Sequence, residues 1–385
     1  MKQSKLVVAL LAVLFTSSVI TSCRQGGAGT SAGNDSTKVE VDSASLPELK
    51  GDASINKATK FYAGISKEGI NMSATDAESW DKYSKEINRL LTISKTTRVL
   101  VDSLVKTDFA DFRDKIDMVF YPFSGADFLY PITIFPNADT YVLCGLEKIG
   151  TPINTDIKTN SAHYQSYRKA LSTFLNISYF ITKDMVNDMN NNELDGTCPV
   201  ISMLMATDGY EIISIKNKKV AEGGQLVDAE GMGNVMEYKF FRKGSKHEQT
   251  LYYVSADLED KRKDENVYKF FANNFKNHTV ASYLKAASYL MTQSNFSIIC
   301  ETIVNNSQYI VEDDSGVPYK YLTDKFDVTL YGMYKRPLPV FTSSCIQPEL
   351  DQAYKDNADK VKPLPFRIGY NNPSNWQCAR RKSGK

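Results

Sequence analysis

The residues best placed to do chemistry lie in Tyr121-Pro122-Phe123-Ser124-Gly125-Ala126-Asp127, where a hydroxyl and a carboxylate stand three positions apart at a turn between apolar runs. A serine hydroxyl becomes a nucleophile only with a base beside it and donors for the developing oxyanion. Here the surrounding sequence names neither. No Gly-x-Ser-x-Gly elbow is present, and His163, His247 and His278 are widely separated along the chain. Ser124 and Asp127 are thus the catalytic candidates, for a hydrolase. Against them stands a plainer expectation, a Ser-Gly turn in which Asp127 bonds nearby backbone amides.

Other motifs point away from cofactors and metals. Asp313-Asp314-Ser315-Gly316 and Asp195-Gly196 set carboxylates beside glycine without the alternating oxygen ligands and closing glutamate of a calcium loop, so they read as turns. Gly223-Gly224 and Gly231-Met232-Gly233 lack the Gly-Lys-Ser/Thr that follows in a phosphate-binding loop. The cysteines after Cys23 are Cys144, Cys198, Cys300, Cys345 and Cys378, without zinc-like spacing. No metal and no cofactor is expected. Cys144 and Cys300 sit in apolar runs and read as packing residues. A disulfide from Cys345 or Cys378 could fasten the C-terminal segment, with the connectivity open. Lys and Arg number 46 against 45 Asp and Glu, so no net field favours nucleic acid. The 22 Tyr and 19 Phe read as mixed core and surface rather than as an aromatic ligand platform. No residue is assigned to ligand binding.

The first residues have a logic of their own. Lys2 and Lys5 precede an apolar run, Leu6 to Ile20, broken only by Thr16, Ser17 and Ser18. Such a run is too short for the roughly 20 residues that cross a bilayer and suits the core of a signal peptide over 1-22. It ends in Ile20-Thr21-Ser22-Cys23, which resembles the bacterial lipobox, so Cys23 is expected to be acylated and to become the new N-terminus. Each buried methylene of an acyl chain stabilises attachment by about 0.8 kcal/mol, so two or three chains make a durable anchor. Residues 23-49 are rich in Gly, Ser, Ala, Thr and Asp and read as a flexible tether. Asp35-Ser36-Thr37 and Asp42-Ser43-Ala44 resemble short O-glycosylation signals of Bacteroidetes, with solvated linker as the preferred reading. The expected location is the cell envelope, lipid-anchored in the outer membrane and facing the periplasm, with surface exposure as the alternative.

The elements that must position the candidates follow from hydrophobic spacing. A helix is expected from Thr75, capped by Thr75 and Glu78, and a second from about Thr96 to Val105. Strands are expected at Met118 to Tyr121, Phe128 to Phe135 and Thr140 to Leu146, then helices near Ser161 to Leu175 and Val200 to Ala206 and a strand from Tyr210 to Lys216. Further strands are placed near Met236 to Arg242 and Leu251 to Ala256, and helices near Val267 to Phe275, Val280 to Met291 and Phe296 to Asn305. Tyr141-Val142-Leu143-Cys144-Gly145-Leu146-Glu147 matches Tyr253-Val254-Ser255-Ala256-Asp257-Leu258-Glu259, and Ser178 to Lys183 answers Ser288 to Gln293, at nearly one offset. The expected fold is therefore α+β (mixed α/β). Residues 50-385 would form a single globular domain of two similar β-hairpin-plus-helices lobes, about 108-218 and 232-340, from an internal duplication. N-terminal helices precede the lobes, and an extended C-terminal strap follows them, ending in Arg380, Arg381 and Lys382.

The segments Tyr121 to Tyr130, Tyr141 to Glu147, Asp313 to Tyr319 and Leu364-Pro365-Phe366 resemble a family of uncharacterised exported bacterial proteins, a Bacteroidetes-like lipoprotein member among them. The resemblance covers about residues 60 to 370. It implies a single folded unit and no activity, substrate or catalytic residue. Two functions compete: a non-catalytic lipoprotein that binds a ligand or an envelope protein partner in the groove between its lobes, and an envelope hydrolase using Ser124 or Asp127.

Overall fold

Strands whose every residue is buried set the architecture, because a strand covered on both faces belongs inside a parallel sheet flanked by helices. Met118–Tyr121 (β1) and Val280–Leu284 (β7) are buried at all positions, and Thr140–Gly145 (β2) at all but the first. The computed structural model describes residues 48-177 and 194-383. Among them lies one sheet of ten strands, completed by Tyr210–Val220 (β3), Leu226–Asp228 (β4), Val235–Arg242 (β5), Glu248–Ser255 (β6), Tyr309–Glu312 (β8), Phe326–Gly332 (β9) and Asn375–Arg381 (β10), in the order β4-β3-β5-β6-β2-β1-β7-β8-β10-β9. The five strands from β6 to β8 run parallel, with Val119 of β1 opposite Tyr141 of β2 and Ala281 of β7. Both flanks are antiparallel. The class is α+β.

Alternation along the central strands divides the core into two layers. Val119, Tyr121, Tyr141, Leu143, Ala281 and Tyr283 join one apolar cluster, with helices Ala53–Tyr62 (α1), Ala74–Asp108 (α2), Leu129–Ile134 (α3) and Cys198–Thr207 (α5). Tyr164 and Tyr167 of Ser161–Ile177 (α4) belong to it as well. Met118, Phe120, Val142, Cys144, Val280 and Leu284 join the other, with Glu265–Phe275 (α6) and Ser297–Asn306 (α7). The last described helix, Pro348–Asp356 (α8), packs on Leu330. Among the described residues no helix is long and apolar enough to cross a membrane.

Several expectations need correction. The two N-terminal helices are one of 35 residues, since no Gly or Pro interrupts 92-95, and its cap is Ser73 bonding the Asp76 amide rather than Thr75. Phe128 to Phe135 is not a strand: residues 129-134 are helical, because a short run buried all round carries no period to separate strand from helix. Pro131 is tolerated there in the first turn, where its missing N–H would have had no partner. Conversely, Val280 to Met291 begins as β7 rather than a helix, since pairing on both sides outweighs its helix-forming residues. The internal duplication is not confirmed. Its first supposed hairpin is a parallel β1-α3-β2 unit, whereas β5 and β6 form an antiparallel pair in the same sheet. The Ser178 to Lys183 half of the second match lies outside the described residues. The C-terminal strap ends not as a strap but as β10, inserted between β8 and β9. Cys345 and Cys378, like the other three described cysteines, are buried and free.

Candidate functional site

From β1 the chain passes through α3 in the first layer to β2 on one side, whereas from β7 it passes through α7 in the second layer to β8 on the other, so the loops leaving the carboxyl ends of β1 and β7 diverge and open a crevice there. A cleft of about 320 Å³ occupies that position. Phe123 and Gly125 line it from the turn after β1, and Gly145, Leu146 and Glu147 from the end of β2. Asp257, Leu258 and Arg262 after β6, Ala286 to Ser288 after β7, and Phe296 complete the lining.

Beneath the cleft an ion pair is closed off from water. Lys285, the first residue past β7, places Nζ 2.5 Å from Asp127 Oδ2, with side chains 1% and 0% exposed. The Tyr121 hydroxyl donates to the same carboxylate at 3.1 Å, the Tyr130 amide donates to its other oxygen at 3.3 Å, and the ammonium lies 3.6 Å from the centre of the Tyr130 ring. Burial lowers the Lys285 pKa, and the negative charges of Asp127 and Asp313 oppose that shift.

The loop after β7 is bent into an unusual shape and held there by the turn after β8. Ala286, Ser288 and Tyr289 have φ of 52°, 55° and 54°, and Phe123 across the cleft has φ of 60°. Side chains with a Cβ adopt this left-handed region at a cost, so such residues persist only where surroundings enforce them. Asp313 Oδ2 accepts the Ala286 amide at 2.8 Å, Ser315 Oγ the Ala287 amide at 2.7 Å, and Asp314 Oδ2 the Tyr289 hydroxyl at 2.7 Å. The Tyr370 hydroxyl donates to the Ala286 carbonyl at 2.6 Å. Asp314 also accepts from Asn375 of β10 at 2.8 Å. Burial raises the pKa of Glu312, Asp313 and Asp314, and in Asp314 the neighbouring Asp313 charge adds to it, bringing the group to about 7. A Cβ at Gly369 would fall 2.1 Å from Asp313 Oδ2, so only glycine lets that segment cover the turn.

The wall of the cleft carries charges of another kind. Glu147 is 3% exposed. Its Oε2 accepts the Tyr253 hydroxyl at 3.3 Å, while Oε1, itself closed off from solvent, has no hydrogen-bond partner among the described residues. A Cβ at Gly145 would lie 2.5 Å from Oε2 and 2.8 Å from the Tyr253 hydroxyl, so glycine makes room for this carboxylate. Arg262 bridges Asp257, at 3.1 Å, and Glu259. Phe123 and Phe296 meet edge to face at 6.1 Å on the apolar side. Cys144 lies just below, buried on the Ala256 carbonyl, and burial pushes its thiol pKa up, away from thiolate chemistry.

Of the two sequence candidates, Ser124 is 2% exposed and its hydroxyl donates toward the Gly125 carbonyl at 2.9 Å and the Cys144 carbonyl at 3.2 Å. No side-chain base is bonded to it among the described residues. His247 pairs with Asp139 and His278 bonds the Asn274 carbonyl, both just before parallel strands and so at the opposite edge of the sheet. His163 bonds Asn160 at the start of α4. Asp127 belongs to the ion pair with Lys285. Sequence reasoning missed Lys285, Glu147 and Arg262. The usable signals were a lone charge in the apolar run Val280 to Met291 and a glutamate closing the strand motif Tyr141 to Glu147. Among the described residues no group of three or more His, Cys, Asp or Glu could hold a metal ion. No protein-family model matches the chain, and no curated protein matches it.

Proposed function

We propose that this chain is a cell-envelope lipoprotein, anchored by lipid on Cys23, that binds a small ligand in the cleft at the carboxyl ends of β6, β2, β1 and β7 without transforming it. The observation that carries the reading is convergence: one concave site gathers apolar side chains, the charged groups of Glu147, Asp257 and Arg262 and a loop held in strained geometry, the attributes of a preformed ligand site. The two stretches read from sequence as lobes both contribute, Phe123 to Glu147 from one and Asp257 to Phe296 from the other. A hydrolase using Ser124 or Asp127 has less support, since the hydroxyl faces two carbonyls and the carboxylate is engaged by Lys285.

The test is purification of the chain from detergent-solubilised envelope beside Cys23→Ala. The natural chain should carry acyl mass on Cys23 and release a small molecule on denaturation. Cys23→Ala should leave the membrane fraction. A stable protein partner with no small molecule would instead favour an assembly role.

A further inference from the structure

We infer that Lys285 and Asp127 condense into an intramolecular isopeptide bond, a covalent tie between the turn after β1 and the end of β7 that releases one water. No ligand in the cleft is needed for it. Nζ stands 2.5 Å from Oδ2 with both side chains closed to solvent, so amine and carboxyl are held together far beyond any concentration in solution. Enclosure matters, because bulk water solvates the charged forms and drives amide formation backwards. Lys218 with Asp228 lacks that enclosure, its carboxylate being 82% exposed. Burial also lowers the Lys285 pKa, so the amine gives up its proton more readily and becomes a nucleophile.

The neighbours supply the remaining parts. The proton between the two groups passes from Nζ to Oδ2, leaving a neutral amine beside a neutral carboxyl. The amine lone pair then bonds Cγ, and the carbonyl pair moves onto Oδ1, which the Tyr130 amide faces at 3.3 Å as an oxyanion donor. When that pair returns, the Cγ–Oδ2 bond breaks, helped by the Tyr121 hydroxyl that donates to Oδ2 at 3.1 Å. Oδ2 leaves with its own proton and one from nitrogen, as water, and the amide keeps the last proton. Chains that have not condensed retain the ion pair. The bond would join positions 158 residues apart and so restrict the unfolded chain as a long-loop cross-link does.

The experiment is mass spectrometry of the full-length chain, purified from detergent-solubilised envelope, denatured and digested with trypsin. Trypsin does not cut after an acylated lysine, so peptide 116-148 should appear joined to 277-320, lighter than the two together by one water, about 18 Da. Linear 116-148 should be about tenfold scarcer than in Lys285→Arg, whose guanidinium keeps the charge without the nucleophile. Tyr121→Phe should slow the conversion and leave more of linear 116-148. Linear 116-148, 277-285 and 286-320 with no branched product from the natural chain would overturn the bond. That digest decides the question even where Lys285→Arg fails to fold.

Discussion

The two edges of the parallel strands use carboxylates to opposite ends. At the amino edge, polar groups sit in water and pair at the surface: His247 with Asp139 at 2.6 Å, their side chains 39% and 63% exposed, and Asn137 with Asp114 at 2.9 Å. At the carboxyl edge, Asp127, Lys285, Glu312, Asp313 and Asp314 are all buried, and the loops they hold contain left-handed residues. Exposed pairs contribute little because water competes for them and long side chains must be ordered. Buried ones are costly to form and costlier to break, since removing one partner strands a charge away from water. One edge thus tolerates change, while the other is over-determined around a cleft.

The sharpest way to break the contrast is to remove one member of a pair at each edge. Lys285→Met should lower unfolding stability by about 3–5 kcal/mol, because Asp127 loses its counter-charge in the interior. Replacing Asp127 by Asn in the same chain should restore part of the loss. His247→Ala should change it by less than about 1 kcal/mol. Urea denaturation of the three variants decides, and equal losses at both edges would end the distinction.

Protonation tests the same edge without mutation. Asp314 has a pKa near 7 when folded against an ordinary 3.8, so between those values the folded chain holds a proton that the unfolded chain releases. Stability is then greatest at the acid end of the window and falls as pH rises, by about 1.4 kcal/mol per unit for one such group. Glu312 and Asp313, also raised, act in the same direction. The urea midpoint should drop from pH 5 to pH 8, and Asp314→Asn should flatten the slope. A midpoint that rises over this range would contradict the buried acid run.

Smaller effects probe the cleft itself. In Gly145→Ala the new methyl would displace the Glu147 carboxylate and the Tyr253 hydroxyl, for a loss of about 1–3 kcal/mol. Thermal unfolding of the variant beside the natural chain checks this, and an unchanged midpoint would mean that the cleft floor yields freely. Ser124→Ala should cost only about 1 kcal/mol, the value of a hydrogen bond to a carbonyl. Any hydrolytic activity of the purified chain that this change abolished would revive the rival reading.

Much of the carboxyl edge was legible one piece at a time. The turn at Ser124-Gly125, the strand from Thr140, read one residue too long to Leu146, and the acidic turn at Asp313 follow from local residue types. Their meeting did not follow, because it depends on β7. Val280 to Leu284 is buried on both faces and runs into Lys285-Ala286-Ala287, a pattern that suits a helix as well as a strand. Only its pairing with β1 and β8, both distant in sequence, decides between them, and with it the position of Lys285. The same ambiguity hid α3, and so made a parallel pair look like a hairpin. Local rules reached caps and turns, whereas the order of strands required contacts that no window of sequence contains.

The insertion of β10 has a kinetic consequence. β8 and β9 run parallel with a one-strand gap between them, so until residues 375-381 fill it the sheet holds two facing edges that are unpaired. Filling the gap requires contacts between distant segments, the kind that form slowly. Asn375, the first residue of the filling strand, also bonds Asp314 and so secures the acidic turn behind the loop after β7. Here the strand that completes the sheet also completes the support of the cleft, so a folding chain acquires both late and in the same step that seals its sticky edges.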